Sequence, residues 1–140
     1  MKTANILFAA TFDKRHRERG VHAEAVHPGG IQTELARHMD PPQMEQMVKQ
    51  INEEAAAEGK EPFQFKTVPN GAATSVWAAV VAPAEEVGGP YCENCHVSEA
   101  VADDAKLSLL DEGVRGYALD PENAKALWKK SEEMVGESFA

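Results

Sequence analysis

Apolar residues recur at helical spacing from the start of the chain. Ala4, Leu7, Phe8, Thr11 and Phe12 lie three and four apart, which predicts an α-helix over 2–19 with one face turned inward. Gly20 is placed to end it. The period then changes to two: small or β-branched residues alternate through 21–27, predicting a strand that Pro28 must terminate, because proline cannot donate to a ladder. Gly29 and Gly30 follow, and the absence of Cβ atoms permits a tight turn and a close approach by a ligand.

Asp40-Pro41-Pro42 reads as a capped helix start, with Met44, Met47, Val48 and Ile51 at helical spacing behind it. Gly59 to Pro62 is a loop by composition. Thr67 caps a helix over 68–82 that is apolar almost all round and is expected to be buried on most of its surface, although Asn70 replaces the Glu or Gln of a full capping box. A strand is predicted at 89–93. A last helix over 121–135 carries Ala124, Leu127, Trp128, Ser131 and Val135 on one face and ends at Gly136.

Length and charge narrow the function. The 140 residues suit one domain, and 43% apolar content excludes a disordered chain. The formal charge of −9 argues against nucleic acid or an anionic membrane surface as partner. The basic run from Lys14 to Arg19 is read as a solvated helix end. No run reaches the roughly 20 apolar residues of a membrane span. Asn5 interrupts the apolar start, and no clean cleavage site follows, so the expected compartment is the cytoplasm.

The stretch Val21 to Leu35, with its Pro28-Gly29-Gly30-Ile31-Gln32-Thr33 turn after a strand, resembles the cofactor loop of the short-chain dehydrogenase/reductase family, in the branch that includes retinol-dehydrogenase-like enzymes. The run Gly71-Ala72-Ala73-Thr74-Ser75-Val76-Trp77-Ala78-Ala79 resembles the same family. The resemblance implies an α/β chain, the C-terminal part of a Rossmann-type doubly wound fold, with about two parallel strands and four or five helices. It implies NAD or NADP as cofactor and an alcohol or carbonyl as substrate. Pro28, Gly29 and Ile31 would hold the nicotinamide carboxamide, and Thr33 would add a hydroxyl contact. The lid, 35–66, would carry an apolar substrate wall of Leu35, Met39, Met44 and Met47; ordinary packing is the alternative for these four. The last helix would lie near the substrate pocket, or else form a homodimer contact.

In the resembled family a tyrosine precedes a lysine by four residues, and Lys2 matches the lysine. Its implied role is to lower the tyrosine pKa and to bind the cofactor ribose. That tyrosine would stand before Met1, and neither Tyr91 nor Tyr117 precedes a lysine by four. The ten glycines also contain no Gly-x-Gly-x-x-Gly or Gly-x-x-x-Gly-x-Gly run to cradle a pyrophosphate. The resemblance therefore accounts for about half of a family member, and weak or no cofactor binding is expected of the chain alone.

Cys92-Glu93-Asn94-Cys95-His96 carries a competing reading, a small redox or metal-binding module, since the spacing is that of c-type haem attachment. A zinc site would need a second ligand pair, and the other histidines are scattered. Two reduced thiols, a disulfide and a metal half-site are the remaining alternatives. A non-catalytic interaction subunit is a third class.

Overall fold

The alternation that ends at Pro28 does produce a strand, β1, but it spans Ala25–His27 alone. Residues 21–24 are diverted to other partners: the Val21 amide donates to the His16 carbonyl, and the Ala23 amide donates to the Asp13 carboxylate at 3.3 Å. The strand expected from residue 21 is shortened by these anchors. The computed structural model describes residues 3–34, 37, 40–108 and 110–139.

Helix α1 (Thr3–His16) runs into a 3-10 turn over Arg17–Arg19 that Gly20 closes at φ 71. Helix α2 spans Pro41–Ala57. Helix α3 (Val68–Val76) continues as a π-helical turn, Trp77–Val81, and a single turn, α4, follows at Ala84–Val87. Strands β2 (Tyr91–Glu93) and β3 (His96–Val97) form a hairpin, and β4 (Ala100–Val101) pairs in parallel with β5 (Val114–Arg115). Helix α5 (Pro121–Val135) ends at Gly136 in the left-handed conformation, φ 74.

Strand β1 pairs with β2 in parallel, Ala25 opposite Tyr91 and His27 opposite Glu93, and the first sheet runs β1-β2-β3. This is the α/β architecture that the resemblance implies, and the β4-β5 pair adds a second parallel pairing to the two parallel strands expected. Ala25, His27, Tyr91 and Glu93 share one face of the sheet by their period, and α1 packs there: Ile6, Tyr91, Val114 and Ala118 form the buried core cluster, with Ala25 and Leu119 against it.

Helix α1 is filled on two sides. Ile6 and Ala9 are buried, whereas Ala4 and Phe8, both on the predicted inward stripe, are exposed. Phe8 turns to α5 instead, stacking on Trp128 with ring centroids 5.6 Å apart, and Arg15 lies over the same indole at 4.5 Å. Arg15 also donates to the Phe139 carbonyl. The basic run is thus partly structural.

Two helix expectations need correction. The Asp40 side chain makes no capping bond to α2; its carbonyl instead accepts from the amides of Gln43 and Met44. Helix α3 is not buried on most of its surface: Val68, Val76, Val80 and Val81 are 55 to 76% exposed. Small residues, Gly71 and Ala78 with Thr74, make its buried side, which leaves the valines outside. Thr67 does cap it, accepting from the Asn70 amide.

Candidate functional site

The loop after β1 leaves the sheet at its carboxyl end, and its shape is fixed by a second extended segment. The Lys66 amide donates to the Gly30 carbonyl at 2.9 Å, and Ile31 and Lys66 form a parallel bridge. Gly29 has φ 85, a region costly for any other residue, and a Cβ there would lie 2.8 Å from the Lys66 side chain. A Cβ on Gly30 would strike the Phe63 ring at 2.6 Å, and one on Gly71 would meet Ile31 at 2.0 Å. The room left by these glycines is therefore filled by the chain itself. Close packing against 63–66 and α3 requires them, a reason the sequence reading did not contain.

Pro28, Gln32 and Thr33 are exposed, and Gly29, Gly30 and Ile31 are half-buried, so the outer backbone of the loop is open to a polar ligand. Thr33 lies beside a cavity of about 400 Å³ that Met44 and Arg37 also line. Met44 faces a second cavity, of about 630 Å³, shared with Val48 and Phe65. Met47, one turn before the buried Ile51 and Ala55 on α2, is 37% exposed. Lys2, Leu35 and Met39 lie outside the described residues.

The Cys92 to His96 motif is a hairpin. Asn94 (φ 47) and Cys95 (φ 60) both take positive φ, as a two-residue type I′ turn demands. Glu93 pairs with His96 across the turn and Cys92 with Val97. Cys92 is wholly buried and Cys95 exposed, both as free thiols. Burial, with the Glu24 carboxylate adding to it, pushes the Cys92 thiol up to about 11. Porphyrin attachment would require that sulfur outside the core, so the spacing is explained by the turn and not by haem. No group of three His, Cys, Asp or Glu side chains among the described residues is arranged to hold a metal ion.

Two buried carboxylates went unnoticed in the sequence. Asp13 is fully buried on α1 and accepts from His22 Nδ1 at 3.0 Å, the Ala23 amide and Arg17. Glu93 accepts from the Gly113 amide at 2.7 Å and from the Ser98 hydroxyl, and its other oxygen lies 4.0 Å from His27 Nδ1. An acidic residue on an apolar face, as at Asp13 one turn after the buried Ala9, is the available signal.

The chain resembles known proteins along nearly all its length. It is 34% identical over 134 residues to a short-chain dehydrogenase/reductase of Penicillium roqueforti, covering 96% of this chain and 36% of that protein. It is 34% identical to a probable oxidoreductase of Streptomyces lividans (91% of this chain, 41% of the relative) and 30% identical to human retinol dehydrogenase 14 (96% and 34%). The chain thus spans little more than a third of the length of these relatives. No family model and no solved structure matches it. The parallel β1-β2 pair, the glycine loop at its carboxyl end and these relatives together place the chain in the short-chain dehydrogenase/reductase family.

Proposed function

We propose that this chain is the nicotinamide-facing and substrate-facing part of an NAD(P)-dependent oxidoreductase acting on an alcohol or carbonyl compound. The observation that carries the reading is the 28–34 loop at the carboxyl end of parallel strand β1, where ligands sit in open α/β sheets. The residues present suit the group. A carboxamide both donates and accepts, and the exposed or half-buried backbone of 28–33 offers both kinds of partner.

Bound there, the nicotinamide would supply or accept hydride. The backbone of Pro28, Gly29 and Ile31 would orient the carboxamide, with Thr33 adding a hydroxyl contact. Hydride delivery to a carbonyl carbon leaves charge on oxygen, so a proton donor is needed. Lys2 would assist a tyrosine donor and hold the ribose. Met44, with Leu35, Met39 and Met47, would line the substrate wall. The part of the family fold beyond this sequence would hold the cofactor phosphates, and the exposed valines of α3 would meet it. A cytoplasmic setting and a homodimer complete the reading. No helix among the described residues is long and apolar enough to cross a membrane.

Fluorescence titration of the purified chain with NADH and NADPH tests this. Binding in the millimolar range, about −4 kcal/mol, without turnover of a ketone is expected. Micromolar binding with turnover would overturn the division of labour.

A further inference from the structure

The basic run that ends α1 is only partly used by the fold. Arg17 donates to the buried Asp13 and to the Gly88 carbonyl at 3.4 Å, and Arg15 lies over Trp128 and donates to the Phe139 carbonyl. Each guanidinium is thereby held through one terminal nitrogen and keeps further N–H donors. Lys14 and, on α5, Lys125 are exposed and have no hydrogen-bond or ion-pair partner among the described residues. All four cations line one groove of about 1060 Å³ between α1, α5 and segment 88–90.

The groove lies at the end of the sheet opposite the 28–34 loop, because segment 88–90 enters β2 while its parallel partner β1 leads out into that loop. Ala10, Leu119 and Ala124 in it are buried or half-buried, whereas the four cations are exposed, which gives an apolar floor and a charged rim. An ordered guanidinium takes a carboxylate through two parallel N–H bonds, and the floor suits a hydrocarbon body. Glu18 and Glu122 line the same groove, so a second anionic group on the ligand would be repelled. A phosphate monoester, with nearly two charges, fits less well than a carboxylate for the same reason.

We propose that this groove binds a monoanionic amphiphile, a single carboxylate on a hydrocarbon body, with Arg15 and Arg17 as the ordered donors and Lys14 and Lys125 adding charge. The site is independent of the nicotinamide reading and shares no residue with the cavities that Met44 lines. The formal charge of −9 opposes anions at long range, but screening at about 0.1 M salt confines such fields to about 10 Å, so the groove's own charges decide.

The test is amide NMR of the labelled chain titrated with hexanoate, 1-hexanol, acetate and adipate. Hexanoate should shift the amides of Thr11, Lys14, Gly89 and Ala124 and bind tightest, since hexanol lacks the charge, acetate lacks the body and adipate adds a second carboxylate. The double variant Lys14→Gln with Lys125→Gln should keep the native spectrum and weaken hexanoate about three- to tenfold, while hexanol is unaffected. In the unaltered chain, raising salt from about 0.1 to 1 M, which shortens the screening length from about 10 to 3 Å, should also weaken hexanoate. Shifts centred elsewhere, any other probe binding as tightly as hexanoate, an affinity unchanged in the double variant, or one indifferent to salt would overturn the assignment.

Discussion

Asp13→Ala should be among the most destabilising single substitutions in the chain. Asp13 is fully buried and joins α1 to the segment entering β1 and, through Arg17, to the Gly88 carbonyl before β2. Truncation removes the acceptor of the Ala23 amide and of His22, whose side chain is 23% exposed; each lost partner costs about 1 kcal/mol. Arg17 is half exposed, so water replaces much of its ion pair, and its share is held below about 1 kcal/mol. The sum is about 2–3 kcal/mol. With a urea dependence of about 1–3 kcal/mol per molar, the unfolding midpoint should fall by on the order of 1 M. Trp128, at the α1–α5 contact, provides the fluorescence signal. Asp13→Asn retains a carbonyl acceptor and should lose about half as much. A stability unchanged within about 0.5 kcal/mol in Asp13→Ala would refute the view that this carboxylate clamps the strand entry.

Three further outcomes follow from the same structure. Gly71→Ala places a Cβ 2.0 Å from Ile31 and should destabilise by about 1–3 kcal/mol in urea unfolding, since Ile31 is itself held by the bridge to Lys66. Iodoacetamide at pH 8 should label one thiol, Cys95, in the native chain and two in urea, because Cys92 is buried and its pKa is pushed to about 11; two labels in the native chain would contradict the hairpin packing. Tyr91 should titrate near 12 by ultraviolet absorbance, its phenol raised from 10.0 by burial and then by Glu93. The folded value lies above the unfolded one, so the associated stability is present below pH 10 and lost as pH rises from 10 to about 12.

The helices were legible because each carries its own punctuation. Gly20 and Gly136 sit at left-handed φ where the reading placed helix ends, and Thr67 and Asp120 cap α3 and α5. The tertiary assignments were less legible. Period-two alternation extends to Val21, but a buried Asp13 ten residues from Ala23 takes its amide, and no local pattern announces that bond. The glycine loop was legible as a turn at the end of a parallel strand. Its reason was not, since Lys66 and Phe63 fill the glycine spaces from a segment more than thirty residues away. Cys92 to His96 misled through spacing alone: the same four-residue interval serves a type I′ turn with one sulfur inside and one outside.

The most direct test of the central claim is amide shift mapping of the chain in millimolar NADH. Shifts confined to Gly29, Gly30, Ile31 and Thr33 are the predicted result, with the Cys95 and His96 amides unmoved. No shift in the loop at saturating cofactor, or a perturbation centred on Cys95 and His96, would contradict it.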